Sequence, residues 1–363
     1  MSKITSIATA TPEHKHSQET LFEFADKVFC NNETDSRKLR FLYRQSGIQY
    51  RHSVLPDFGN VDSERLMFPR TDDLEPFPTL EHRMRIFEQS AVVLSVKAIR
   101  DCIANVIEPP NITHLITVSC TGMSAPGLDL EIMEAMELSP NLHRTSVNFM
   151  GCYAAIHGLK MADAICTQQP TANVVVVCTE LCTLHFQKEI SADNMMSSLL
   201  FADGTGAMLI QNNQHKGFSL NHFFSEVAFK GKKDMSWQLS ATGFLMTLTG
   251  YVPELLKADF NTLVQKALKA YGFNTNNIDY WCIHPGGKKI LQAISHSISL
   301  EMSSLQASYD VLKQYGNMSS ASIVFVLKEI WEHIKISKKE KAQVFGAAFG
   351  PGLTMETFLA TYE

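Results

Sequence analysis

Residues 173–179 read Asn-Val-Val-Val-Val-Cys-Thr, and this β-branched apolar run predicts a buried strand. Three further runs of the same character predict strands at residues 113–119, 207–211 and 280–283. All four runs are short and end at polar or glycine-containing stretches, as strands of a buried sheet do.

Longer stretches with helical periodicity lie at residues 85–103 and 320–334. The alternation of strand-like and helix-like segments predicts an α/β layered fold. Near the end of the chain, a Gly-Pro-Gly turn at residues 350–352 separates two apolar runs, at residues 342–349 and 353–360. Two such runs around a tight turn predict a hairpin.

The composition indicates a globular protein with a sizeable core, because 45% of the 363 residues are hydrophobic and 19% are charged. The formal net charge is −5. General nucleic-acid binders and polybasic membrane binders are usually basic, so the charge disfavours both functions. No apolar run approaches the ~18 residues of a membrane span, and the first stretch turns polar too early for a secretory signal. Eight cysteines are ordinary for a reduced protein, so we expect a cytoplasmic location.

A polar, glycine-punctuated stretch at residues 211–234 is the best candidate for a boundary between two halves of the chain. We therefore divide the chain into residues 1–220 and 221–363. Residues 54–80 contain several prolines and little periodicity, which predicts an irregular excursion on the surface.

Cys152 is the first candidate for chemistry. It follows a glycine and opens a helical pattern that continues to about residue 166. A cysteine at the start of a helix lies near the positive end of the helix dipole, which favours the thiolate. We therefore consider Cys152 a candidate nucleophile, with a buried structural cysteine as the alternative.

Two other polar residues lie where the predicted chain turns sharply. His284 ends a strand and precedes Pro-Gly-Gly, and α/β folds usually place their sites at the carboxyl ends of strands. Asn317 lies in a tight turn just before a helix. Its amide could donate to an oxyanion or hold the helix start; a surface or core role is the alternative for His284.

The spacing of Cys178, Cys182 and His185 resembles that of metal ligands. However, Cys178 ends an apolar strand and no second pair of ligands follows. We therefore do not expect a metal site here.

The set Cys152, His284 and Asn317, in that order, resembles the catalytic residues of the type III polyketide synthases, the chalcone synthase-like family. Two stretches, at residues 119–129 and 236–244, are more similar to bacterial members than to plant members. Five stretches resemble signatures of that family in the same order: GCYAA at 151–155, LFADGTGAML at 200–209, HPGGKKIL at 284–291, YGNMSSAS at 315–322 and FGAAFGPGLTMET at 345–357.

This resemblance implies a thiolase fold, in which two pseudo-duplicated α/β halves pack as αβαβα layers, and a homodimer. It also implies that a CoA-linked starter acylates Cys152 and that malonyl-CoA then loses CO2 and attacks the bound thioester. His284, as an imidazolium, would lower the pKa of the cysteine and would donate with Asn317 to the thioester oxygen. No metal or redox cofactor is required. The starter could come from CoA or from an acyl carrier protein.

The resemblance further implies a set of residues around the reaction cavity. Phe201 would be an aromatic gate, although a core phenylalanine is the plain alternative. Met246 occupies the position of a second gate, where a flexible side chain could admit an aliphatic chain. Trp237 replaces a small residue, and Cys120 replaces a threonine. The remaining two expected cavity residues are Thr183 and Ser319.

A basic cluster near the N-terminus implies a site for the CoA phosphates. Lys38, Arg40 and Arg44 lie in a helical stretch that holds those phosphates in the family. A solvated helix face is the alternative.

Other functions remain open from the sequence. A synthase that condenses once, similar to ketoacyl-ACP synthase III or HMG-CoA synthase, would use the same fold. A papain-like protease would share the order Cys, His, Asn, but its local signature around the cysteine is missing. A non-catalytic scaffold would not require the three residues together.

Overall fold

A computed structural model describes residues 1–59, 64–249 and 252–363 of the chain. In these ranges the chain forms thirteen strands and ten α-helices. The strands are β1 (Lys3–Ala10), β2 (His14–Ser17), β3 (Tyr50–Ser53), β4 (His114–Ser119), β5 (His143–Asn148), β6 (Asn173–Leu181), β7 (Asp203–Gln211), β8 (Phe218–Val227), β9 (Met235–Ser240), β10 (Gly243–Leu248), β11 (Tyr280–Ile283), β12 (Ala342–Gly350) and β13 (Thr354–Tyr362). The helices are α1 (Gln18–Phe29), α2 (Glu33–Gln45), α3 (Leu80–Ile103), α4 (Leu128–Ala135), α5 (Ala154–Gln168), α6 (Ala192–Leu200), α7 (Val252–Lys269), α8 (Lys288–Ser297), α9 (Gln306–Tyr315) and α10 (Ser322–Ile336).

Nine strands form one mixed sheet in the order β11-β12-β13-β8-β1-β7-β6-β4-β5. The pairs β4–β5, β4–β6 and β11–β12 are parallel, and the other pairs of this sheet are antiparallel. The two parts of the sheet meet where β1 lies beside β8, with Lys3 opposite Ser219 and Ile4 opposite Phe218. Two separate hairpins, β2–β3 and β9–β10, complete the strands.

The valine run in β6 explains how the layers are built. Val175 and Val177 belong to a core that also contains residues of α3. Val174 and Val176 belong to a second core with residues of α5 and α10, and with residues of β12 and β13. Helices α5 and α10 therefore lie between the two parts of the sheet, as in αβαβα layering. Each face of β6 is covered, which is why its sequence is apolar without alternation.

The predicted α/β architecture is confirmed, as is the late hairpin, because β12 pairs antiparallel with β13 from Ala342–Tyr362 to Gly350–Thr354. The polar stretch at residues 211–234, expected to form the boundary between the halves, contains the strand β8. That strand pairs with β13 along most of its length, and these backbone hydrogen bonds outweigh its polar composition. In the predicted irregular excursion at residues 54–80, a 3-10 turn lies at Pro56–Phe58, and residues 60–63 lie outside the described ranges.

Candidate active site

The backbone before Cys152 has a conformation that only glycine adopts easily. Gly151 has a φ of +93°, and a Cβ atom built there would lie 2.1 Å from Cδ of Pro351. Gly151 thus lets the turn between β12 and β13 pack directly against the start of α5. Two sequence stretches that are far apart in the chain therefore fix the position of the Cys152 sulfur together.

Burial dominates the electrostatics of Cys152, whose side chain is 8% exposed. Burial raises the pKa of the Cys152 thiol to about 12, the Ser319 side chain opposes this rise, and the charge of Glu180 adds to it. The sequence predicted a thiolate favoured by the helix dipole. In the free protein that effect is outweighed, because removing a charged sulfur from water costs more than a helix terminus returns.

His284 directly follows β11, and its backbone N–H donates to the carbonyl of Ala347 at 2.8 Å. The imidazole is 2% exposed, and its Nδ1 is buried without a hydrogen-bond partner among the described residues. Burial lowers the pKa of His284 to about 3. Burial thus favours the neutral ring in the free protein, and the expected imidazolium stays a prediction for the protein with substrate bound.

Asn317 holds the start of the helix, as one interpretation of the sequence expected, and its role as a donor to an oxyanion stays a prediction. Its Oδ1 accepts from the backbone N–H of Ser319 at 2.9 Å, which holds the turn before α10. Its Nδ2 donates to the carbonyl of Gly286 at 3.3 Å, two residues after His284. An amide has two N–H groups, so one donor is left that could point to a ligand.

Cys152, His284, Asn317 and Phe201 line one cavity of about 20 Å³, which we call the active-site cavity. Its volume is close to that of a single water molecule in a buried site. The remaining lining is largely apolar: Met235, Met246, Leu248, Gly286, Ile290 and Phe349. The structure thus brings together three residues that the sequence separates widely, in a place where a hydrogen bond from a fixed donor is strong.

Cys120 and Trp237 border an adjoining void of about 20 Å³, which Cys152, Ser319 and Met246 also line. The Cys120 sulfur accepts from the backbone N–H of Gly151 at 2.9 Å. The indole Nε1 of Trp237 donates to the carbonyl of Cys120 at 2.8 Å. These two contacts tie the β9–β10 hairpin to the residue that precedes the candidate nucleophile.

Thr183 lies in a third cavity, of about 50 Å³, which we call the inner chamber. Four of the described side chains line both the inner chamber and the void beside Cys152, and they form the partition between them: Cys182, Phe201, Trp237 and Met246. The Thr183 hydroxyl donates to the buried carboxylate of Asp203 at 2.6 Å. Its backbone N–H also donates to Asp203, which fixes this part of the chamber wall.

The three basic residues expected at the CoA phosphates lie on α2 near the surface. Lys38 pairs with Asp35 at 3.3 Å, and Arg40 pairs with Glu19 at 2.9 Å. Arg44 lies exposed in the last turn of the helix. Exposed ion pairs of this kind are weak, so a phosphate could replace the acidic partners. Binding of CoA by these residues remains a prediction.

A buried carboxylate, Glu180, was not anticipated from the sequence. It accepts hydrogen bonds from the Cys120 backbone N–H at 2.9 Å and from the Thr121 hydroxyl at 2.8 Å, and from Ser320. Burial raises its pKa. The available signal was the charged residue at the end of the apolar run of β6, since such residues are rarely buried without a role.

His185, which suggested a metal ligand by its spacing, uses both ring nitrogens within the protein. Nε2 lies 2.8 Å from the carbonyl of Thr121, and Nδ1 accepts from the backbone N–H of Phe244 at 3.0 Å. Burial lowers its pKa to about 3. In the described ranges, no three His, Cys, Asp or Glu side chains are grouped as a metal site. Nor does any described helix have the length and apolar character needed to cross a bilayer.

Two family models cover almost the whole chain. The model "Chalcone and stilbene synthases, N-terminal domain" matches residues 1–214, and the corresponding C-terminal domain model matches residues 221–361.

The sequence identity to individual relatives is below 30% for the two proteins that follow. The chain is 28% identical to Probable polyketide synthase 1 of Dictyostelium discoideum over 97% of its own length, and it spans 11% of that protein. It is 29% identical to the alpha-pyrone synthesis polyketide synthase-like Pks18 of Mycobacterium tuberculosis, over 98% of this chain and 90% of that one. The structure of PKS-I from the brown alga Ectocarpus siliculosus has a TM-score of 0.92 at 24% identity, covering 100% of this chain and 98% of that chain. This last similarity shows the fold.

Proposed function

The chain belongs to the chalcone and stilbene synthase family, the type III polyketide synthases, and we propose that it extends an acyl-CoA starter by iterative decarboxylative condensation with malonyl-CoA. The observation that carries this proposal is the shared active-site cavity of Cys152, His284 and Asn317. A nucleophile, a base and an amide donor are the groups that thioester exchange and decarboxylation need.

In the loading step, neutral His284 accepts the proton of the Cys152 thiol as the sulfur attacks the starter thioester. The bond between the acyl carbon and the CoA sulfur breaks, the protonated His284 returns its proton to the CoA thiolate, and an acyl-cysteine remains. The low pKa of His284 and the high pKa of Cys152 disfavour the ion pair in the free protein. Formation of the thiolate therefore depends on the substrate, which fills the cavity and supplies new polar partners.

In the extension step, the thioester oxygen of malonyl-CoA accepts hydrogen bonds from His284 and Asn317. The bond between the carboxylate carbon and the CH2 carbon of the malonyl group breaks and CO2 is released. The enolate that remains carries its negative charge on the thioester oxygen. The enolate carbon attacks the acyl-cysteine, and the Cys152 thiolate leaves. Fixed donors in a cavity without bulk water stabilise such a charge strongly, by about 2.7–4 kcal/mol for one donor.

The walls of the cavities favour an aliphatic starter and a resorcinol, pyrone or similar small product. Met246 lies in the partition to the inner chamber, and a methionine adapts to an alkyl chain more easily than an aromatic ring does. Lys38, Arg40 and Arg44 would bind the CoA phosphates. We further propose a cytoplasmic homodimer, with an acyl carrier protein as a second possible donor of the starter.

The proposal is tested by incubating the protein with malonyl-CoA and a panel of aromatic, short and long acyl-CoA starters, with products read by mass. We expect products that contain two or more acetate units, and none from Cys152→Ala. A single acetate unit would indicate a synthase that condenses once. Product formation by Cys152→Ala would refute the role of the sulfur, and peptide cleavage without malonyl-CoA consumption would indicate a protease.

A further inference from the structure

Two phenylalanine rings lie in the wall of the inner chamber and also border a second cavity. Phe24 on α1 and Phe58 line the chamber, and the same two residues line a groove of about 500 Å³ on the opposite side. The groove is polar and includes Glu23, Lys27 and Arg65. The two rings therefore separate the inner chamber from a groove that contains charged side chains.

The rings are held by a larger aromatic cluster. The centroids of Phe24 and Phe58 are 4.9 Å apart in an edge-to-face arrangement, and Phe186 lies 5.4 Å from Phe24. The ring centroid of Phe68 lies 5.7 Å from that of Phe24 and 6.1 Å from that of Phe58. Phe58 is 5% exposed, and Phe24 is half-buried and packs against the same core, so both rings of the wall are held by core packing.

Three spaces, separated by two walls, thus follow one another from the nucleophile outward. The void beside Cys152 is bounded by the partition, and the inner chamber lies behind it. The chamber ends at Phe24 and Phe58, beyond which the groove begins. An acyl chain on Cys152 that passes the partition enters a compartment of fixed depth.

We propose that Phe24 and Phe58 set the upper limit on the length of the acyl starter, because its terminal methyl group meets these rings. This inference rests on the proposed function and adds a specificity determinant that lies far from the reacting atoms. Chains up to the limit gain from burying each methylene group. Longer chains must displace packed rings or fold back, and both are unfavourable in a close-packed interior.

The test compares kcat/KM for saturated acyl-CoA starters of increasing length in the wild type, Phe24→Ala and Phe58→Ala. One methylene accepted or rejected by an apolar pocket changes kcat/KM by roughly 10- to 200-fold. We expect the alanine variants to raise kcat/KM for the first starters beyond the wild-type limit, relative to short starters, by at least about tenfold. Phe24→Trp should move the limit towards shorter chains, and it keeps the proposal testable if an alanine variant does not fold.

Phe68→Ala is the matched control, because Phe68 packs against both rings but is not among the described residues that line the chamber. We expect it to lose stability without a shift in the length limit. An unchanged length profile in folded, active Phe24→Ala, Phe58→Ala and Phe24→Trp would overturn the inference alone. A wild-type protein that loads no acyl-CoA of any length would overturn the proposed function as well.

Discussion

Asn317 and Phe201 are joined through their backbones by an isolated parallel β-bridge. The N–H of Asn317 donates to the carbonyl of Leu200 at 2.9 Å, and the N–H of Ala202 donates to the carbonyl of Asn317 at 2.9 Å. The amide donor and the aromatic residue of the partition therefore belong to one rigid unit. A change of the Phe201 side chain can alter the partition without moving the donor.

Replacing Asn317 with Asp should separate loading from extension. The aspartate keeps an oxygen for the Ser319 N–H but loses the donor to the developing enolate. We expect malonyl-CoA decarboxylation to slow by roughly 10²- to 10³-fold, while mass spectrometry still detects acyl-Cys152. If the variant lost both acyl loading and malonyl-CoA decarboxylation, Asn317 would only hold the local fold.

Replacing Gly151 with Ala should displace the candidate nucleophile, because the new Cβ would overlap Pro351. Gly272 offers a matched control: its φ is +76°, and no described atom lies within 4 Å of a Cβ built there. Both variants take on backbone strain of about 1–3 kcal/mol, but only Gly151→Ala adds the overlap. We expect a larger fall in Tm and loss of Cys152 acylation for that variant. Equal effects of the two substitutions would contradict this interpretation.

Replacing Glu180 with Gln should make the Cys152 thiol more acidic. The charge of Glu180 contributes to the raised pKa of Cys152, and glutamine can still accept from Cys120 and Thr121 while donating to Ser320. We expect the pH profile of iodoacetamide alkylation at Cys152 to move to lower pH, with faster alkylation at neutral pH. A profile that stays in place in a folded variant would indicate that Glu180 is protonated in the wild type.

Two of the buried histidines, His185 and His284, should make the protein sensitive to acid. The pKa values of His185 and His284 are lowered to about 3, whereas an unfolded histidine has a pKa of ~6.5. Below that value the unfolded chain binds protons that the folded chain rejects, so the free energy of unfolding falls as the pH decreases from about 6.5 to about 3. From pH 7 to pH 5 each histidine should contribute a loss of about 2 kcal/mol.

This prediction is checked by urea unfolding at both pH values for the wild type and His284→Gln. The variant should lose less stability on acidification than the wild type, by the share of one histidine. Replacement of the exposed His215 by Gln is the control and should leave the difference between the two pH values unchanged. The buried acid Asp203, with a pKa raised to about 6 by burial, acts in the opposite direction and is common to all three proteins.

Local patterns were sufficient to predict the elements that carry the candidate site. The run at residues 280–283 predicted β11 with the same bounds, because a short apolar segment ending at Pro-Gly has few alternatives. The helix expected at residues 320–334 begins at Ser322, after a 3-10 turn at Ser319–Ala321. This turn is stabilised by the side chain of Asn317, a tertiary detail that helical periodicity does not contain.

Protonation and cavity shape could not be predicted in the same way. The position of Cys152 at a helix start suggested an acidic thiol, but its burial depends on residues from distant segments, among them Cys120, Ser319 and Pro351. Likewise, the hydrogen bond between Trp237 and Cys120 joins segments that have no sequence relation to each other. Protonation and cavity shape depend on contacts between segments that are distant in the sequence, so local sequence patterns do not predict them.

The seam between the two parts of the sheet affects how the chain can be produced and handled. Ile4 of β1 pairs with Phe218 of β8, so β1 leaves the ribosome long before β8 has been synthesised. Glu363 exchanges two backbone hydrogen bonds with Gly217, and the amino group of Met1 donates to Asn212. Residues 1 and 363 thus both lie close to the seam, so a substitution that weakens the pairing of β1 with β8 would loosen these contacts as well.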